Sequence, residues 1–161
     1  MINLETVMKK ATYIGRFHLH GVSMSFIRAP GLRRKDIIEL GDIVYFMVVN
    51  GKIYKIGKAG GAQGFAGRAG TYARGRLGDA TNIRIMDIMQ DLDETEIEVW
   101  AIKVPRPMVT FNCPLTGVTM TIPVSIHKDI ESIYTNMFLE LEENDLPFCH
   151  QLSWGKLWKN L

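Results

Sequence analysis

Cysteine is scarce, with two residues in a chain of 161, Cys113 and Cys149. Two thiols so far apart supply neither a CxxC metal site nor the framework of a disulfide-stapled secreted domain. Long apolar runs are missing too. The longest, Ile43 to Val49, falls far short of the roughly 18 residues of a membrane helix. Lys9 and Lys10 near the start are not followed by the apolar stretch of a secretion signal. The expectation is therefore a cytoplasmic protein with no membrane partner. Charge of one sign is also in short supply: the net value is only +2, so any nucleic-acid reading must rest on local clusters. Neither a repeat nor a low-complexity stretch interrupts the chain. With 47% hydrophobic and 22% charged residues, it has the composition of a folded domain.

What is present begins with an extension, residues 1–40. A short helix is expected from Asn3 to Ala11, followed by strands at Thr12–His20 and Val22–Ile27 around a turn at Gly21. Arg33, Arg34 and Lys35 then form a basic cluster. Ile43–Val49 reads as a buried strand, and Asn50-Gly51 as a two-residue hairpin turn, because both residues tolerate positive φ. Lys52–Gly57 returns as the partner strand, which puts Tyr45 and Lys55 on paired antiparallel strands. The stretch 57–78 is dense in glycine and carries Lys58, Arg68, Tyr72, Arg74 and Arg76. Interior glycine weakens a helix by up to ~1 kcal/mol, so a helix here needs support from tertiary contacts or ligand. Beyond it the pattern predicts a helix over Thr81–Gln90 and a strand over Thr95–Val104. A second hairpin follows around Pro114-Leu115-Thr116-Gly117, then a long amphipathic helix over Ile126–Glu143 with Ser125 as its N-cap.

This order of elements, with Ile43-Val44-Tyr45 on the first strand and Lys55-Ile56-Gly57 on the second, resembles the GIY-YIG nucleases. The first glycine of the family pattern is Ile43 here and the second tyrosine is Lys55; some restriction enzymes of the family look similar in carrying lysine at that place. A literal Tyr13-Ile14-Gly15 lies upstream and lacks the hairpin, so it is read as coincidence. The family's arginine on a helix, with a partner one turn later, is matched by Arg68 and Tyr72, which four-residue spacing puts on one helical face. Its glutamate on a later helix is matched by Glu131, and its following proline by Pro147. The asparagine that usually comes next is absent, with His150 or Gln151 as stand-ins. The similarity spans roughly residues 41–151.

The resemblance implies a small α/β (α+β) domain over 41–161, with a central three-stranded antiparallel sheet flanked by helices. A hairpin inserted at 108–123 and the 1–40 extension, as a DNA-contact or dimer arm, would decorate it. It also implies hydrolysis of DNA phosphodiesters. Glu131 would hold Mg²⁺, or Mn²⁺ in its place, since a single carboxylate with waters suits such an ion. The fork of Arg68 would grip the scissile phosphate as charge grows on it. Tyr45 would act as base; with an ordinary tyrosine pKa near ~10, it needs help, for which Lys55 is the candidate. Tyr72 would orient water or phosphate. Spacing alone leaves Tyr45, Tyr54 and Tyr72 unranked as the base. Arg33, Arg34, Lys35, Lys58, Arg74 and Arg76 are the candidate contacts to double-stranded DNA. Restriction and phage members of the family imply a homodimer, each chain nicking one strand. The rivals are a repair or homing-type nicking nuclease and an inactive DNA-binding module on the same fold.

Overall fold

The computed structural model describes residues 2–141 and 144–149. Its elements run α1 (Leu4–Lys10), β1 (Thr12–His20), β2 (Ser23–Arg28), α2 (Arg34–Glu39), β3 (Ile43–Val49), β4 (Lys52–Ala59), α3 (Gly64–Ala73), α4 (Ala80–Asp91), β5 (Glu96–Lys103), β6 (Met108–Asn112), β7 (Thr119–Pro123) and α5 (His127–Leu139), with one 3-10 turn at Gly75–Leu77. Each sequence-expected element is present. The helix α2 at the basic cluster is an addition: Arg33 and Asp36 close a reciprocal capping box at its start. Ser125 is not the cap of α5; the cap position is Ile126, with no side-chain bond.

The expected three-stranded sheet is in fact five-stranded. Its order is β2-β1-β5-β3-β4, with antiparallel pairing throughout. The trio β5-β3-β4 is there, and β1 and β2 from the N-terminal segment extend it. The physical reason is burial: Ile14, Phe17 and Met24 join Tyr45, Val99 and Phe65 in one apolar cluster rather than forming a separate one. β3 lies inside the sheet with a layer on each face, and none of its residues is more than 3% exposed. That explains its continuous apolar sequence.

On one face, Tyr45 and Met47 meet α2, α3 and α4 through Ile37, Phe65, Ala69, Ile85 and Met89. On the other, Val44, Phe46 and Val48 meet α1 and α5 through Val7 and Phe138. The turn at Asn50-Gly51 has φ of 47° and 73°, as a tight hairpin of primed type requires. Among the described residues β6 and β7 pair only with each other, and every residue in both is exposed. Both cysteines are free thiols. Among the described residues, no helix is long and apolar enough to cross a membrane.

Candidate functional site

β4 forms one edge of the sheet, and a cleft of about 430 Å³ wraps around it between α3 and α5. Strand alternation decides which side chains enter from which side. Gly57 pairs with Tyr45, and Lys55 with Met47, so both lie on the α3 face. Lys58 pairs with Val44 and so points to the α5 face. There its ammonium lies 3.6 Å from the carboxylate of Glu131, which stands one turn into α5. Arg68 reaches the same cleft from α3. Lys55, Arg68 and Glu131, remote in sequence, thus line one space together with Lys58. Lys128 adds a further cation, and Glu131 is the one carboxylate among the lining residues. A site so composed attracts anions.

Tyr45 and Tyr72 do not line this cleft. They lie beneath it, 0% and 2% exposed, with their hydroxyl oxygens 2.7 Å apart. Gly57 is the thin wall between: a Cβ there would sit 2.4 Å from the Tyr45 hydroxyl oxygen. The Arg68 guanidinium stacks over the Tyr72 ring at 5.6 Å from its centroid, a cation–π arrangement. Burial opposes the Arg68 charge, but the oxygens of Tyr45 and Tyr72 outweigh it and hold its pKa above the ordinary value. Burial, then the neighbouring Tyr45, push Tyr72 well above the usual tyrosine range, and Arg68 offsets this only in part. Tyr72 therefore holds its proton. Lys55 spends its ammonium on the Cys149 sulfur at 3.7 Å.

The six candidate DNA contacts are dispersed. Arg33 is paired with Asp36 at 3.1 Å, Arg34 donates to Gln63 at 3.2 Å, and Arg76 is held by Asp87 at 2.6 Å and Gln90 at 2.9 Å. Lys35 and Arg74 are exposed, with no ion pair among the described residues. Only Lys58 reaches the cleft. The stand-ins His150 and Gln151 lie outside the described residues. Cleft residues that sequence reading missed are Lys128, Ser132 and Thr135. Their spacing around Glu131 on one helical face was the available signal.

Also missed was a cluster at the far end of β4. The side chain of Asp42 is fully buried and accepts two bonds from Arg106, at 2.7 and 2.8 Å. His127 Nδ1 lies 3.4 Å from the same carboxylate. The bonds from Arg106 hold the Asp42 carboxyl at about 2 against the cost of its burial, with help from Ser125 and His127.

No set of three or more His, Cys, Asp or Glu side chains suited to a metal is grouped among the described residues. Among the described residues the donors in the cleft are instead one carboxylate, Glu131, the hydroxyls of Thr81, Ser132 and Thr135, and the single thiol of Cys149, beside space open to water. Such a set fits a hard cation that keeps most of its own waters, and does not fit a closed zinc site.

No protein-family profile matches the chain, and no curated protein is significantly similar to it in sequence. Solved structures do match. A restriction endonuclease, HPY188I, in complex with product DNA superposes with a TM-score of 0.54 at 17% identity, over 93% of this chain and 87% of that one. Bacteriophage T4 EndoII does so with a TM-score of 0.54 at 15% identity, over 84% of this chain and 93% of that one. At these identities the fold is what is shared.

Proposed function

We propose that this chain is a divalent-metal-dependent DNA endonuclease of the GIY-YIG kind, site-specific in the manner of restriction enzymes. The observation that carries the reading is the convergence of Arg68, Lys55 and Glu131, from three separate elements, on one cation-rich cleft above the Tyr45–Tyr72 pair. The fold likeness to two endonucleases supports it.

In this reading a phosphodiester lies along the β4 edge. Arg68 donates its planar fork to a non-bridging oxygen and is worth most as negative charge grows there. Its stacking on Tyr72 fixes the fork's orientation before the substrate arrives, so little is lost in ordering it. Lys55, Lys58 and Lys128 attract the backbone and neutralise neighbouring phosphates. Glu131 would hold Mg²⁺ or Mn²⁺ with water, and Lys58 would pass from Glu131 to phosphate on binding. The ion would supply Lewis acidity and stabilise the leaving oxygen.

The tyrosine pair narrows the choice of base. The two hydroxyls share one hydrogen bond, and in this reading Tyr72, which keeps its proton, is its donor. Tyr45 is then the proton acceptor and Tyr72 its orienter, which requires the backbone at Gly57 to give Tyr45 a path to water on substrate binding. Tyr54 does not belong to this pair; its ring packs on Phe148. We further assign the active form to a homodimer, one chain per strand, with the exposed surface of residues 1–40 turned toward DNA or the second chain.

Plasmid and phage DNA incubated with Mg²⁺, comparing wild type with Glu131→Ala, test the proposal. Discrete fragments from the wild type, lost in the variant, are the expected result. Nicked circles alone would replace it by a nicking nuclease. DNA binding without cleavage in Mg²⁺ or Mn²⁺ would favour the inactive-module reading, which draws on one observation: Tyr45 is fully buried.

A further inference from the structure

The Asp42 cluster ties together three things that the catalytic reading does not use. Asp42 immediately precedes the interior strand β3, and its carbonyl accepts from Val104 N at 2.8 Å, where β5 ends. Its carboxylate takes both bonds from Arg106, just before the exposed hairpin β6–β7. It also faces His127, the first residue of α5, four residues ahead of Glu131. One buried carboxylate therefore bonds to Arg106 at one root of the hairpin and lies within ion-pair distance of His127 near the other.

The space for this arrangement has been kept open. A Cβ on Gly60 would lie 2.5 Å from Asp42 Oδ1 and 3.0 Å from His127 Nε2. The start of α5 packs on the second apolar cluster through Ile126 and Ile130, but Ile126 gives no side-chain cap, and among the described residues His127 Nδ1 has only the Asp42 carboxylate as a charged neighbour, at 3.4 Å. Four residues of helix span ~6 Å, so a rotation of roughly 10° at His127 shifts Glu131 by about 1 Å, enough to matter to a catalytic group.

We propose that Asp42, through Arg106 and His127, is a positioning residue that fixes the first turn of α5 and so sets Glu131 opposite Arg68 and Lys55. The proposal rests on the nuclease reading for its effect on catalysis, but not for its effect on α5. Asp42 touches no cleft residue; it acts through the helix.

Asp42→Asn keeps the volume and removes the charge, while Arg106→Gln removes the clamp from its exposed end at a stability cost, so unfolding melts first establish that both variants are folded at the assay temperature. Two measurements are made on each full-length variant. Hydrogen exchange should accelerate in residues 126–132 relative to β3, and the DNA dissociation constant without metal should stay within about twofold. The maximal cleavage rate in Mg²⁺ should fall roughly 10- to 100-fold, as expected for a displaced catalytic group. Unchanged exchange in α5 in both variants overturns the proposal, and so does full cleavage alongside loosened exchange. If the wild type itself cuts no DNA, the nuclease reading fails. The exchange result then decides by itself whether Asp42 holds α5.

Discussion

The hydroxyl pair Tyr45–Tyr72 offers a quantitative check, because energetics and chemistry separate there. Both oxygens are buried and 2.7 Å apart. Changing one tyrosine to phenylalanine removes a hydrogen bond and strands the other hydroxyl away from water, at a cost of about 1.5 kcal/mol within the usual range for such groups. Tyr45→Phe and Tyr72→Phe should each lose about this much in urea unfolding followed by circular dichroism. That corresponds to a fall in Tm of roughly 3–6 °C for a chain of this size. The double variant leaves no stranded hydroxyl, Arg68 retains its stacking on the ring and its access to the cleft, and phenylalanine keeps the ring contacts with Phe65 and Phe17. It should lose only about 0.5 kcal/mol, a coupling of about 2.5 kcal/mol. Activity should not follow stability. Tyr45→Phe and the double variant should both be dead in the plasmid assay, although the double variant is nearly as stable as wild type. Additive losses would refute the mutual hydrogen bond. Wild-type cleavage by Tyr45→Phe would remove Tyr45 as the base.

Three further outcomes are expected. Gly57→Ala places a Cβ 2.4 Å from the Tyr45 oxygen. With Tyr45 locked in the core, this overpacking should cost about 1–3 kcal/mol in denaturant melts and abolish cleavage. Arg68→Lys keeps the charge but loses the fork and its stacking on Tyr72. It should lower the maximal cleavage rate roughly 100-fold in single-turnover kinetics with little change in protein stability. Asp42 has a folded pKa of about 2, below its ordinary 3.8, so its contribution is fully present above pH 4 and lost as pH falls through 2. Asp42→Asn should therefore cost about 2 kcal/mol at pH 7 and almost nothing near pH 2, measured by unfolding across that range.

Much of the fold was legible because its signals are local. Asn50-Gly51 specifies a turn, the run Ile43–Val49 a buried strand, and the spacing of Ile130, Ile133, Met137 and Leu141 a helix, although Ile133 and Met137 are exposed and the buried face runs through Ile130, Tyr134 and Phe138. The site was legible only as five residues in order, since convergence on one cleft depends on how α3 and α5 pack. Where sequence reading fell short, long-range contacts decided. The sheet gained β1 and β2 because Phe17 and Met24 complete the core around Phe65. Arg76, which reads as a phosphate contact, is committed to Asp87 and Gln90 eleven and fourteen residues on. Asp42, Arg106 and His127 are spread over 85 residues, and no spacing pattern connects them.

One irregularity determines whether a site exists at all. A two-residue turn at Asn50-Gly51 pairs Val49 with Lys52 and Val48 with Ile53. Continued regularly, that register would set Lys55 opposite Phe46 and Ile56 opposite Tyr45, turning the Lys55 side chain to the α5 face. The observed pairs are Met47 with Lys55 and Tyr45 with Gly57, because the ladder slips by one residue between Met47 and Val48. A slip of one residue moves every later side chain to the opposite face. Here it brings Lys55 to the face of Tyr45, puts the only side-chain-free residue of β4 against the tyrosine hydroxyl, and sends Lys58 toward Glu131. Tyr54 absorbs the slip, and its carbonyl accepts from Phe148 N at 3.1 Å, so the C-terminal segment is docked on the bulge itself. The hairpin motif alone does not assemble these groups; the bulge within it does.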